Sequence, residues 1–136
     1  MPKIIAIDYG LKRTGIACTD NLQIIAFPLD TVASEKLLDF LNQYLETENV
    51  EAMVIGKATR RDGTASPVEK EILKLIKGIE KTHPAVTIHR QDEHFTSKLA
   101  SKIIRQAAKK KKDRKNKALI DKVSATLILQ AFLGHI

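Results

Sequence analysis

Apolar residues follow two patterns along the chain: short continuous runs, which predict strands, and a helical spacing, which predicts helices. Near the amino terminus short apolar runs favour buried strands, and the first of them contains Ile4–Ile7 without a break. Turn residues at Gly10 and at Asp20 and Asn21 would join these strands into an antiparallel meander, and Pro28 would end the third strand. The three predicted strands are Lys3–Tyr9, Thr14–Thr19 and Leu22–Leu29.

Apolar residues with helical spacing follow, behind Ser34 as a predicted N-cap. The face of this helix that meets the core is predicted to carry Leu37, Leu38, Leu41 and Leu45. A second helix has a stronger start signal, because Ser66 as N-cap, Pro67 at the first helical position and Glu69 would form a capping box. Its buried stripe is predicted to contain Val68, Ile72, Leu75, Ile76 and Ile79.

The remaining elements complete an α/β chain. They are predicted as strands at Glu51–Gly56 and Ala85–His89, a helix that opens at Thr96 or Ser97, and a last helix at Leu119–Leu133. The order β-β-β-α-β-α-β-α-α is typical of a five-stranded mixed sheet with helices on both faces. Neither a repeat nor a linker is visible, so residues 1–136 are expected to form a single domain.

The composition narrows the class of protein. The only cysteine, Cys18, excludes an internal disulfide framework and fits a reducing compartment. No apolar run approaches the roughly 18 residues that span a bilayer, and no run has the flanks of a signal peptide. We therefore expect a soluble, cytoplasmic protein that has no membrane partner.

The net charge of +7 is concentrated in one segment. Residues 102–117 hold nine basic residues and one acid, whereas the other 120 residues hold 14 basic and 15 acidic side chains. Clustered Lys and Arg displace counterions from a nucleic-acid backbone, which favours a phosphate contact over the alternative of a solvated loop. The basic residues are Lys102, Arg105, Lys109, Lys110, Lys111, Lys112, Arg114, Lys115 and Lys117.

Acidic residues occupy three unexpected places. Asp8 ends the first apolar strand, Asp92 and Glu93 follow the fifth strand, and Asp121 enters an apolar helix. A carboxylate at the end of a buried strand needs turn amides or a cation to stabilise its charge, and ligands of α/β sheets usually bind at this end. The alternatives are a turn cap at Asp8 and an ordinary acidic loop after the fifth strand.

Three carboxylates that met at one edge of the sheet would repel one another unless cations were present. Mg²⁺ and Mn²⁺ prefer oxygen ligands and bridge to phosphates, and a pair of such ions can promote phosphodiester cleavage. The acids and the basic segment would then serve the same substrate, a nucleic acid.

Three segments match a known set of motifs: Asp8–Ala17 (DYGLKRTGIA), Asp92–Ser97 (DEHFTS) and Asp121–Gln130 (DKVSATLILQ). They resemble the D-x-G-x-K-R-x-G-x-A, D-E-R-x-T-S/T and D-x-x-A/S-A…I-L-Q motifs of the YqgF/RuvX family. That family is related to the RuvC Holliday-junction resolvases and has the ribonuclease H-like fold. The resemblance extends from Lys3 to about Leu133, which is nearly the whole chain.

The resemblance implies a metal-dependent nuclease that processes the 5′ end of pre-16S ribosomal RNA. The implied catalytic and metal-binding acids are Asp8, Glu93 and Asp121, which would hold Mg²⁺ or Mn²⁺, as two ions. Lys12 and Arg13 match a basic pair that would contact phosphate or order the first hairpin. Asp92 would either bind metal or position Glu93.

Two departures from the family pattern concern substrate contacts. The family carries G-L-P after the fourth strand, where this chain has Gly56, Lys57 and Ala58. Arg60 and Arg61, in the same Lys57–Thr64 loop, are expected to contact nucleic acid. His94 stands where the family has an arginine.

Other functions stay open at this point. The spacing Asp8–Gly15 also resembles the phosphate loop of actin- and hexokinase-like ATPases, but those proteins close two domains around ATP, and 136 residues provide one. A non-catalytic RNA-binding module and a nuclease for branched DNA junctions are further alternatives. Junction cleavage needs two active sites in a symmetric dimer. Since no segment is a clear dimer interface, we expect a monomer.

Overall fold

The computed structural model describes residues 2–57, 67–92 and 117–134, with residue 92 and residues 117–122 described by their backbone alone. The strands in these ranges are β1 (Lys3–Asp8), β2 (Arg13–Thr19), β3 (Ala26–Ala33), β4 (Val50–Lys57) and β5 (Thr87–Asp92). The helices are α1 (Leu37–Thr47), α2 (Glu69–Thr82) and α3 (Lys117–Leu133), and a 3₁₀ turn at Ser34–Lys36 precedes α1.

The strands form one mixed sheet in the order β3-β2-β1-β4-β5. Strand β2 is antiparallel to both β1 and β3, whereas β1, β4 and β5 run parallel to one another. Short turns are enough for the antiparallel meander, but parallel neighbours need crossovers, which α1 and α2 provide. The predicted five-stranded mixed sheet is confirmed.

Helices cover both faces of this sheet, and the side chains of β1 alternate between the two cores that result. Ile5 and Ile7 pack with buried residues of α1 and α2 on one face. Ile4 and Ala6 pack under α3 on the other face, against Ala125 and its neighbours. A strand buried on both faces needs an unbroken apolar run, which is why β1 lacks the alternation of a half-exposed strand.

The third strand begins and ends later than predicted, and Pro28 does not end it. Pro28 lies inside β3, paired with Ala17, and the register shifts next to it so that Leu29 has no partner on β2. Because β3 is at the edge of the sheet, a residue without an N–H is tolerated there. The prediction was wrong because it treated the proline as a stop signal rather than as an edge residue.

The structure also differs from the prediction at the starts of two helices. Ser34 begins the 3₁₀ turn and caps neither helix; its hydroxyl donates to the Gly10 carbonyl. Helix α2 starts at Glu69, not at Pro67, and the Glu69 carboxylate accepts hydrogen bonds from Arg90. Ser66 lies outside the described residues, as does the helix predicted from Thr96 or Ser97.

The predicted buried faces are largely confirmed. Ile72, Leu75 and Ile79 are buried on α2, and Leu37 and Leu41 are buried on α1. Leu38 is the exception, since it is 39% exposed. No helix within the described ranges is long and apolar enough to cross a membrane.

The adjacent residues Ile72 and Leu73 on α2 test this packing. Ile72 is 2% exposed and Leu73 is 50% exposed. We expect Ile72→Ala to lower the free energy of unfolding by about 2–5 kcal/mol, and Leu73→Ala to change it by less than about 0.5 kcal/mol. Urea unfolding followed by circular dichroism measures both variants. Equal losses would contradict the burial of this face.

Candidate functional site

Asp8 lies at the carboxyl end of β1, where the buried strand leaves the core. Alternation along β1 places Asp8 on the same face as Ile4 and Ala6, which is the face covered by α3. Its neighbour Tyr9 packs on the opposite face, where partial burial and then the charge of Glu71 raise the pKa of its phenol. The half-buried carboxylate therefore points toward the α3 side of this sheet edge.

Glycines stand level with Asp8 on both neighbouring strands. Asp8 is paired with Gly15 on β2. On β4, Gly56 follows Ile55, the partner of Ile7. Both glycines are buried. The two strand positions level with Asp8 therefore contribute no charged or bulky side chain to this edge.

Helix α3 crosses one face of the sheet and contacts all five strands. Near the carboxyl end of α3, the centroid of the Phe132 ring lies 4.9 Å from that of the His89 ring. Phe132 also lines a cavity with Ile4 and Thr87, which lie near the amino ends of β1 and β5. From Phe132 back to Asp121 the helix rises about 16 Å. From Ile4 to Asp8 the strand rises about 13 Å. The helix is therefore long enough for Asp121 to reach the edge at which Asp8 lies.

The helical repeat also places Asp121 on the side of α3 that meets the sheet. Asp121 precedes Ala125 by one turn and Ile128 by two turns, and both of these residues are fully buried under the sheet. The predicted placement of Asp8 and Asp121 at one edge and on one face is thus consistent with the backbone.

The carboxyl end of β5 lies at the same edge, because β5 is parallel to β1. Asp92 is the last residue of β5 and pairs with Lys57. Its register position falls on the face of Arg90, opposite to that of Asp8. Glu93 follows directly but lies outside the described residues, so its predicted role is not tested.

Lys12 and Arg13 lie next to the acidic edge, in the turn between β1 and β2 and at the start of β2. Lys12 is exposed, whereas Arg13 is half-buried and has interactions within the protein. The other predicted nucleic-acid contacts lie outside the described residues; they are Arg60, Arg61, Lys109, Lys110, Lys111, Lys112, Arg114 and Lys115.

The turn that carries Lys12 is tied to the junction between β3 and α1. The Ser34 hydroxyl donates to Gly10 O at 2.5 Å, and the Ser34 amide donates to Lys12 O at 3.0 Å. The Thr14 hydroxyl lies 2.8 Å from that of Ser34. A Cβ at Gly10 would lie 2.5 Å from Arg13 O, so only glycine fits this turn as it stands.

Arg90 is a second anchor at this edge. Its Nε donates to Ile55 O at 3.2 Å, and its Nη2 donates to Gly56 O at 3.1 Å. The same Nη2 also bonds both carboxylate oxygens of Glu69. Arg90 therefore fixes the end of β4, the glycine beside Asp8 and the start of α2 relative to one another.

The chemistry of the site fits Mg²⁺ or Mn²⁺. The predicted donors are carboxylate oxygens, which both ions prefer. No cluster of three or more His, Cys, Asp or Glu occurs among the described side chains, which include Asp8 but neither Glu93 nor Asp121.

Sequence comparisons identify relatives of the whole chain. Residues 2–135 match the model of the RuvX family, whose description is Holliday junction resolvase. A Bacteroides fragilis protein named as a candidate pre-16S rRNA nuclease is 46% identical over 133 residues, which cover 98% of this chain and 96% of that protein. A protein of the same name from Amoebophilus asiaticus is 48% identical over 134 residues, covering 98% and 95%.

A comparison with solved structures confirms the fold. Thermus thermophilus RuvC in complex with a Holliday junction superposes with a TM-score of 0.55 at 15% sequence identity, covering 99% of this chain and 98% of that chain. A further structure of RuvC from the same organism gives a TM-score of 0.53 at 14% identity. The predicted ribonuclease H-like architecture is therefore confirmed.

Arg90 supports a prediction about this edge. In Arg90→Met, the Glu69 carboxylate and two carbonyls of β4 lose their donor while partly buried, so we expect unfolding to become easier by about 2 kcal/mol. Lys74→Met is the matched control, because it breaks an exposed ion pair with Glu71 and should cost less than about 0.5 kcal/mol. Thermal and urea unfolding measure both. Similar small losses would show that Arg90 does not anchor β4.

Proposed function

Since the chain belongs to the RuvX family, we propose that it is a metal-dependent nuclease that hydrolyses phosphodiester bonds at the 5′ end of pre-16S ribosomal RNA. The family and the names of the whole-chain relatives support nuclease activity on nucleic acid. In this proposal residues 1–136 act as one catalytic domain, as a monomer and in the cytoplasm, where ribosomes are assembled.

The observation that carries the proposal is the position of Asp8. A carboxylate that ends the central buried strand, between two glycines on the neighbouring strands, is suited to hold cations against a phosphate. A non-catalytic RNA-binding surface would not require an acid there at all.

Asp8, Glu93 and Asp121 would hold the metal. Two Mg²⁺ or Mn²⁺ ions held there would activate a water for attack and would stabilise the charge on the leaving oxygen. Lys12, exposed in the neighbouring turn, would neutralise a phosphate of the substrate, and Arg13 would order the hairpin from which Lys12 projects. Asp92, at a register position on the other face, would support the chain that presents Glu93.

The basic residues from Lys109 to Lys115 would bind the RNA backbone, whereas the acids would hold the metal. Arg60 and Arg61 would add phosphate contacts from the loop that follows β4. In this division of roles, affinity depends on salt, whereas turnover depends on metal.

Cleavage of branched DNA is the second candidate function. The description of the family model and the fold shared with RuvC favour it. It would require two copies of the chain, because two strands of a junction must be cut symmetrically. Sedimentation of the protein alone and with a four-way junction distinguishes the monomeric from the dimeric form.

The central prediction concerns the three acids. We expect Asp8→Asn, Glu93→Gln and Asp121→Asn each to lower the rate of cleavage of labelled precursor 16S RNA in Mg²⁺ or Mn²⁺ by about 10³-fold or more. Asp30→Asn is the control, since Asp30 is exposed on the edge strand β3. A four-way DNA junction and a random single strand are incubated in parallel.

The outcomes of this experiment separate the proposals. Cleavage of the junction but not of the RNA would replace the RNA substrate with branched DNA. Cleavage that survived all three substitutions would contradict the assigned metal site. Tight RNA binding without cleavage by the wild-type protein would favour a binding module.

The basic segment gives a separate prediction. Replacing Lys109, Lys110, Lys111 and Lys112 by glutamine should reduce the slope of log K against log salt for RNA binding by about 3, if each lysine neutralises one phosphate. The control replaces the four exposed lysines of α2, which are Lys70, Lys74, Lys77 and Lys81. Both variants lose the same charge, so equal changes in slope would show that the basic segment has no special contact.

A further inference from the structure

The hydroxyl groups of Thr14 and Ser34 form a directed chain that ends on the turn beside Asp8. The Ser34 hydroxyl donates its single proton to Gly10 O. The bond between the two hydroxyls, 2.8 Å long, must therefore be donated by Thr14 to Ser34. A second bond, from the Ser34 amide to Lys12 O at 3.0 Å, fixes the far side of the same turn.

These contacts are partly buried and leave the turn little freedom. Thr14 is completely buried, so its hydroxyl cannot exchange its partner for bulk water. Gly10 approaches Arg13 so closely that the turn could not accept a Cβ without moving. Ser34 itself is held by the chain at the junction of β3 and α1, which is distant in sequence from the turn. The turn is thus fixed by tertiary contacts in addition to its local geometry.

We propose that Ser34 and Thr14 are positioning residues that hold the turn after Asp8, so that the carboxylate of Asp8 and the ammonium of Lys12 face the same phosphate. The inference rests on the proposed function, because it takes Asp8 as a metal ligand. Gly10 is two residues from both Asp8 and Lys12, so a shift of its carbonyl moves both groups. Displacements of about 1 Å at a reacting centre can cost about 100-fold in rate.

The chain contains a matched control for this inference. Thr19 lies on the same strand as Thr14 and is 1% exposed. Its hydroxyl accepts the Ile4 amide at 2.9 Å, at the opposite end of the sheet from Asp8. Thr14→Val and Thr19→Val therefore each remove a hydrogen bond made by the hydroxyl of a buried threonine in β2. Only the hydrogen bond of Thr14 lies beside the turn.

The experiment compares Thr14→Val, Ser34→Ala and Thr19→Val for melting temperature, Mn²⁺ affinity by calorimetry, and kcat and KM on precursor RNA. We expect the two valine variants to lose similar stability. Thr14→Val and Ser34→Ala should also lower kcat by about 10- to 100-fold and weaken Mn²⁺ binding, with KM for RNA unchanged. Thr14→Ser, which retains the hydroxyl, should restore both kcat and Mn²⁺ affinity.

Two results would overturn the inference. One is that Thr14→Val matches Thr19→Val in kcat and Mn²⁺ affinity, and the other is that Thr14→Ser fails to restore them. Asp8→Asn is measured beside these variants to separate this failure from that of the proposed function. If Asp8→Asn retains full Mn²⁺ affinity and cleavage, the metal site itself is wrong. If Asp8→Asn is inactive while Thr14→Val is normal, only the positioning role is wrong.

Discussion

The burial of β1 on both faces is the constraint on which the site depends. Every residue from Ile4 to Ile7 lies in one of two apolar cores, so a carboxylate at any of those positions would lose its hydration without a partner. Asp8 occupies the first position at which the strand emerges. A charge at this boundary keeps access to ions from solution, while the rigid strand behind it fixes its location.

The connections between strands then determine which residues meet Asp8. Because β1, β4 and β5 are parallel, their carboxyl ends share one edge, although they are separated by two helical crossovers. Helix α3 crosses one face of the sheet, and its Phe132 lies near the amino ends of the parallel strands. The proposed metal ligands Asp8, Glu93 and Asp121 belong to the beginning, the later middle and the end of the chain.

The sequence predicted most strands and helices of the described residues well, since these follow from local patterns. The buried stripe of α2 and the apolar run of β1 are recorded in the spacing of residues such as Ile72 and Ile5. The failures occurred where a residue has a choice between a local and a distant partner. Ser34 resembles a helix cap but bonds Gly10, and Glu69 resembles half of a capping box but pairs with Arg90.

Such pairings could not be predicted, because they depend on which strands become neighbours. Sequence alone indicates no partner for Arg90 until β5 is placed beside β4. Likewise, Pro28 indicates the end of a strand until β3 is placed at the edge of the sheet. The motifs point to Asp8 and Asp121 as metal ligands, and that assignment stays a prediction. Glu93 and the basic residues from Lys109 to Lys115 stay predictions, since they lie outside the described ranges.

Pro28 and Leu29, which has no partner on β2, also affect whether another chain can pair with the edge strand β3. An edge strand offers free backbone groups to any extended peptide, and Phe27, Ile24 and Ile25 add exposed apolar surface beside this one. A residue without an N–H and a break in register interrupt the regular row of donors and acceptors that a new strand would need. The β2–β3 hairpin can therefore expose these apolar side chains without offering a regular edge on which cross-β aggregation could start.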